Sequence, residues 1–331
     1  MKNKTEIGEY NMQKENEPKC LFKKSKKQKQ IIIASLILII IIIVFIYFGQ
    51  KWIADLNKQI NILSNRIYHI EQKQTNDIYA HFSLDDTIGI FKDLYKNENK
   101  YDSIFENATL QYLLELHNIY GIKVSCYCWY EDEEFNLSLV SNQYAKEFQQ
   151  NSDWLRFGFH AYDSATKYET DTDAEKILED YNRTINELVR ITGGESNIDN
   201  VVRLHYYAGT KKCIDNIKNT ANGITGLLTA DTEGRDSYYL SQTDSEYLYN
   251  NDKYEFDDLL FINTDFRMEN FENIEENLEL YAEQNQNKTQ ILEFFTHEWI
   301  LKENYIKDNI EACCKYAIIN NYSWHFPEDK L

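Results

Sequence analysis

Asp85 and Asp86 close an apolar, strand-like run in the stretch HFSLDDTIGIFK (81–92), and adjacent carboxylates repel each other unless something nearby offsets their charge. A divalent cation does so, and it also lowers the pKa of a bound water towards neutrality. Adjacent side chains on a strand diverge, so one aspartate can hold a cation while the other takes a proton from water. Further groups able to ligate or move protons stand at the ends of other strand-like runs. They are His160 with Asp163, Arg203 and His205, Asp231, Arg267 with Glu269, and His297 with Glu298. One such residue is noise in a chain that is 27% charged; a ring of them on one rim makes a site.

The elements that must position this ring alternate in type. Strand candidates are 78–84, 122–128, 154–160, 201–206, 224–230, 259–264 and 291–296, with an edge strand at YSWHF (322–326). Amphipathic helices such as AEKILEDYNRTINELVRITG lie between most of them, a βα alternation that implies a parallel sheet. Seven such units over 76–331, with no Gly-rich phosphate loop after the first strand, predict an α/β fold in the form of a closed or nearly closed (β/α) barrel.

The N-terminal quarter reads differently. The apolar run IIIASLILIIIIIVFIYF (31–48) covers most of a ~30 Å hydrocarbon layer, which predicts a transmembrane helix over 31–49. Residues 1–30 carry nine lysines against four glutamates, so this basic tail is expected in the cytoplasm and the barrel outside, as a single-pass protein of the cell membrane. Residues 50–75 read as a stalk, and Ile53, Leu56, Ile60, Leu63, Ile67 and Ile70 form an a/d seam suited to a parallel homodimer; a stalk helix lying on its own domain is the alternative.

Beyond residue 30 there are 26 basic and 50 acidic side chains, a formal −24. Such a surface repels nucleic acid and suits a neutral or amino-sugar substrate. Cys126, Cys128, Cys213, Cys313 and Cys314 are an odd set without framework spacing, so they are expected as small buried hydrophobes.

Ser83-Leu84-Asp85-Asp86-Thr87 resembles the TFDDG motif of the polysaccharide deacetylases, carbohydrate esterases with a deformed seven-stranded (β/α) barrel. His160 takes the strand-end position of an H-x-x-x-H motif, Arg203-Leu204-His205-Tyr206 is similar to R-x-P-Y, and Phe295-Thr296-His297 is similar to L-x-H. These motifs keep the family's order over about residues 78 to 300. Two departures stand out. Ser164 replaces the second metal-binding histidine, leaving Asp163 as the substitute ligand, and the Asp-Trp motif after the fifth strand is absent, leaving Asp231 as the stand-in that tunes the acid.

The resemblance implies a metal-dependent enzyme that removes N-acetyl groups from a surface or cell-wall glycan. Asp86, His160 and Asp163 would be ligands of a divalent metal, Zn²⁺ foremost, with Mn²⁺, Co²⁺ or Ni²⁺ acceptable. Asp85 would be the general base, Arg203 its orienting partner, the Tyr206 amide an oxyanion donor and His297 the acid. Duller readings make Asp85-Asp86 an N-cap pair, His160 a core histidine, Arg203 a structural ion pair, His297 a helix cap and His205 a residue that packs where the motif has proline. At the level of function, the competitors are a non-catalytic glycan-binding descendant and a metal-independent glycosidase built on Glu293 or Glu298 with Asp231.

Overall fold

The computed structural model describes residues 49–53, 78–231, 237–284 and 291–330. Residues 49–53 are helical. No helix among the described residues is long and apolar enough to cross a membrane, and nothing described supports the single-pass anchor or the cell-membrane location expected from the sequence. The apolar run 31–48, the basic tail 1–30 and the dimer seam from Leu56 to Ile70 lie outside the described residues.

From residue 78 the chain forms twelve described strands: β1 (Tyr79–Asp85), β2 (Val124–Trp129), β3 (Glu131–Asp132), β4 (Phe135–Asn136), β5 (Leu155–Ala161), β6 (Val201–Val202), β7 (Gly226–Leu228), β8 (Lys253–Phe256), β9 (Leu259–Ile262), β10 (Phe266–Arg267), β11 (Ile291–His297) and β12 (Ser323–Trp324). The expected seven parallel strands are present as β1, β2, β5, β6, β7, β9 and β11, but they do not close into one barrel. They divide between a sheet in the order β10-β11-β1-β2-β5, with β12 beside β1, and a second sheet in the order β6-β7-β9-β8. β3 and β4 make a separate antiparallel ribbon.

The seams lie where strands are too short to carry a ladder. Between β5 and β6 the backbone offers one isolated bridge, Phe157 to Ile198, because β6 is only two residues long. Side chains tie this seam instead: the Tyr127 hydroxyl donates to the Val201 carbonyl at 2.8 Å, and the Asn197 amide donates to the Phe148 and Leu155 carbonyls. At the other seam, β10 is also two residues long and pairs with β11, not with β9. There the Asp265 amide donates to the Glu293 carbonyl and the Glu293 amide donates to Asp265 Oδ2, both at 2.8 Å. Each such bond satisfies a buried group that a ladder would otherwise serve.

Helices cover the sheets as the apolar spacing predicts. Helix Ala174–Thr192 buries Ile177, Tyr181, Ile185, Leu188 and Ile191 at three- and four-residue intervals and packs on β5. It stops at Gly193, whose φ of 88° is the left-handed conformation of a C-terminal cap. All five cysteines named above are free and buried, in line with their reading as small hydrophobes. β1 is buried on both faces, with Ala80, Phe82 and Leu84 alternating with His81, Ser83 and Asp85. The alternation therefore delivers one row of polar groups to the interior and ends it at the rim.

Candidate metal centre

Asp86 follows the end of β1 and adopts φ of 61°, a left-handed conformation that aspartate tolerates better than most residues. The turn is held by the Thr87 amide, which donates to the Tyr127 carbonyl at 3.1 Å, and by the Ile88 amide, which donates to the Asp86 carbonyl. The chain thus leaves the strand with the Asp86 carboxylate turned towards β5. There, Asp86 Oδ1 lies 3.3 Å from His160 Nε2.

His160 is oriented from behind. Its Nδ1 donates to the Arg203 carbonyl at 2.5 Å, which places the proton on Nδ1 and leaves the Nε2 lone pair facing Asp86 in the neutral ring. His205 comes from the 3₁₀ turn His205–Tyr207 after β6, where positive φ values at Tyr206 (60°) and Tyr207 (56°) bend the chain inward. The His160 and His205 rings stand 5.1 Å apart.

Asp86, His160 and His205 each offer one ligand atom, and these atoms lie within 4.8 Å of one another. Asp86 Oδ1, His160 Nε2 and His205 Nδ1 are all buried without a hydrogen-bond partner, the usual sign that a further group completes the site. The 3.3 Å separation of the first two matches the edge of a tetrahedron with ~2.0 Å bonds. Two imidazoles and a carboxylate are a donor set that zinc accepts readily.

The charges around the cluster point the same way. Burial alone would raise the Asp86 carboxyl, but the His160 ring 3.3 Å away and the charge it can carry hold it below the usual range. Burial would lower His160, yet Asp85 and Asp86 outweigh it and raise the imidazole. A proton on His160 Nε2 would therefore compete with a cation for the same place. His205 is pushed down to about 4 by burial and then by neighbouring His160, so it is neutral with a lone pair to give.

Asp163, expected as the third ligand, is elsewhere. Its Oδ1 accepts from the amides of Ala165 and Thr166 and from the Thr166 hydroxyl, closing its own turn. His205, read from the sequence as a packing residue, lies beside Asp86 and His160 instead.

The side chains expected from the sequence to move protons flank this cluster. Asp85 is 2% exposed and accepts from Arg203 Nη1 at 3.0 Å. Its partner across the β1–β11 ladder is His297. His297 Nδ1 lies 2.8 Å from Glu269 Oε1, which also accepts from the His297 amide and the Thr296 hydroxyl. Burial would raise Glu269, but the hydrogen bond and charge of His297 and the Thr296 hydroxyl hold it down to about 2. Asp231, the expected tuning partner, instead accepts from the Asn270 amide at 2.7 Å. Tyr206 stands in the turn whose own bonds use the amides of Tyr207 and Ala208.

Arg203 also donates to Ser83, Thr264 and Glu293. Glu293 is fully buried and bonded to His81 and Ser83 as well, which removes it as a glycosidase carboxylate. From there His81 contacts Ser125 at 2.8 Å, and Ser125 donates to Asp199. A polar thread thus runs from the rim to the far end of β2.

Glu298 occupies a tight corner over the first turn of helix Ile88–Lys96. A Cβ at Gly89 would lie 2.7 Å from both its carboxylate oxygens. Burial pushes the Glu298 carboxyl up to about 8, only partly offset by the Gly89 and Ile90 amides. A carboxyl raised in the folded state stabilises it fully below its unfolded pKa and loses that contribution as pH rises towards 8. Glu298→Gln is therefore expected to raise the melting temperature by about 4 °C at pH 9 and to change it little at pH 5, measured by thermal denaturation.

No protein-family model matches the chain, and no curated protein matches it in sequence. The functional reading therefore rests on the site. Sequence reasoning missed His205 and Glu269 as participants, although both belong to the titratable groups it placed on the rim.

Proposed function

We propose that this protein is a metal-dependent hydrolase that removes N-acetyl groups from a glycan. The observation that carries the reading is the convergence of three buried, unpartnered ligand atoms on Asp86, His160 and His205, set beside Asp85 and His297 on neighbouring strand ends. The bland alternatives each predict partners for these atoms. An N-cap carboxylate bonds to helix amides, and a core histidine uses both ring nitrogens.

A divalent cation held by Asp86, His160 and His205, with Zn²⁺ the best fit, would polarise the acetyl carbonyl and acidify a water. Asp85 takes a proton from the attacking water as it adds to the carbonyl carbon, while Arg203 keeps the carboxylate aimed. The Tyr206 amide is the donor for the developing oxyanion. As the C–N bond breaks, His297 gives a proton to the departing amine, and Glu269 fixes the ring in the orientation that allows it. The product is acetate and a free amino sugar. The acidic balance of the chain, formally −19, favours a neutral substrate that leaves as a cation.

The glycan-binding descendant drew its support from the absent second histidine of the H-x-x-x-H motif, and His205 supplies an imidazole by another route. The test is acetate release from N-acetylglucosamine oligomers by the zinc-loaded chain. Chelation is expected to stop it, and Asp85→Asn to lower it by about 10² to 10⁴ while zinc content stays at the parent level. A zinc-loaded chain that frees no acetate from these oligomers would sink the reading.

A further inference from the structure

The polar row behind Arg203 needs more hydrogens than its neutral side chains bring. Glu293 Oε1 accepts from Ser83 Oγ at 2.9 Å and from Arg203 Nη2 at 3.1 Å, while its Oε2 lies 2.6 Å from His81 Nδ1. His81 Nε2 lies 2.8 Å from Ser125 Oγ, which is bonded in turn to Asp199 Oδ2. Asp199 Oδ1 accepts from the Val201 amide at 3.0 Å. His81, Ser125, Asp199 and Glu293 are all fully buried. Three contacts therefore link Glu293 to Asp199, and each needs one hydrogen. A neutral imidazole brings one and a hydroxyl brings one. The third is an additional proton, on the second nitrogen of His81 when Ser125 donates to Asp199, or on Asp199 when the hydroxyl turns the other way. Without it, two acceptors would face each other at contact distance in the interior, an arrangement that folded proteins avoid.

The charges around the row favour that proton. Burial pushes the Asp199 carboxyl up to about 6, only partly offset by His81, by the bonds from Ser125 and Val201 and by Arg156. The other groups that face Asp199 are the phenols of Tyr127 on β2 and Tyr181 on helix Ala174–Thr192, both raised by burial and so neutral. Arg156, on β5, is itself paired with Glu328 and Asp329. His81 faces the Glu293 carboxylate on β11. Resting on the deacetylase reading and extending it into the core, we propose that His81, Ser125 and Asp199 are positioning residues, which take one proton from solvent on folding and hold it behind Glu293. Gripped from that side, Glu293 is a fixed acceptor for Arg203 Nη2, and Nη1 of the same guanidinium stays on Asp85 at 3.0 Å. A Glu293 released by His81 would draw the guanidinium towards itself and away from the base.

Two variants of the full, zinc-loaded chain test this. Ser125→Ala cuts the row, and at about pH 6 its kcat for acetate release from N-acetylglucosamine oligomers is expected to fall about tenfold, with KM and zinc content at the parent level. Asp199→Asn supplies the third hydrogen from its own amide and is expected to keep kcat within about threefold of the parent. Melting temperature gives a readout that needs no substrate. A carboxyl raised in the folded state contributes stability that is present at low pH and lost as pH rises through its folded value near 6. The parent is therefore expected to lose about 4 °C more than Asp199→Asn between about pH 5 and pH 8, since the two chains share every other titrating group. The second N–H of the asparagine amide affects stability equally at every pH and does not tilt the comparison. Equal slopes in the two chains would overturn the captured proton. Asp199→Asn as slow as Ser125→Ala, or Ser125→Ala as fast as the parent, would overturn the positioning role. Failure of the deacetylase reading looks different: the parent frees no acetate while the slopes still differ, in which case the captured proton stands and its role through Arg203 falls with the reaction.

Discussion

His205→Ala is expected to abolish stoichiometric binding of a divalent cation and to lower acetyl hydrolysis on the order of 10³-fold or more, whereas Asp163→Ala leaves both close to the parent. The contrast follows from where the lone pairs point. Asp163 Oδ1 is spent on two amides and a hydroxyl within its own turn, so its removal loosens a loop and no more. His205 Nδ1 is buried, unpartnered and within 4.8 Å of the ligand atoms of Asp86 and His160. Its loss leaves two ligands, fewer than zinc sites use. Elemental analysis after dialysis reads the outcome directly; metal retained by His205→Ala and lost by Asp163→Ala would reverse the assignment. In the parent, affinity for the cation is expected to fall as pH falls, because His160 is raised and a proton on its Nε2 competes for the same place.

The misplacement of this third ligand has a physical origin that no pattern in the chain discloses. The run VVRLHY reads as a strand to residue 206, with Arg203 and His205 on one face. In the structure β6 ends at Val202, and the 3₁₀ turn with positive φ at Tyr206 and Tyr207 swings His205 onto His160. Positive φ at tyrosine is a tertiary imposition, paid against the residue's own preference. Asp85, Asp86, His160 and His297 were legible because long alternating strands set their direction before any packing is known. Glu269 was not recognised as the partner of His297, since it follows a strand of two residues that carries no period to read. Closure of the barrel was equally out of reach. Local spacing fixes that a segment is a strand, whereas which edges meet depends on strand lengths and on single side chains such as Tyr127, Asn197 and Asp265.

Arg203→Met is expected to destabilise the fold by about 3 to 5 kcal/mol, roughly a 10 °C fall in melting temperature, and to remove activity with it. The guanidinium is 1% exposed and lies 3.9 Å over the Phe295 ring, with bonds to Ser83, Asp85, Thr264 and Glu293. Burial opposes its charge, but Asp85 above all, then Tyr207 and Glu293, hold the proton in place. Methionine fills much of the volume and leaves Asp85 and Glu293 buried without their guanidinium partner, so the penalty is that of orphaned charge more than of a lost bond. That distinction is measurable. Adding Glu293→Gln to Arg203→Met removes one of the stranded charges and is expected to restore part of the stability, although Glu293→Gln alone destabilises the parent. Arg203→Lys separates structure from chemistry. It keeps the charge but cannot fork to both carboxylates, so the fold is expected to survive with kcat reduced and zinc content unchanged. Equal losses in the methionine and the lysine variants would mean that the fork itself, and not the charge, holds the two carboxylates apart.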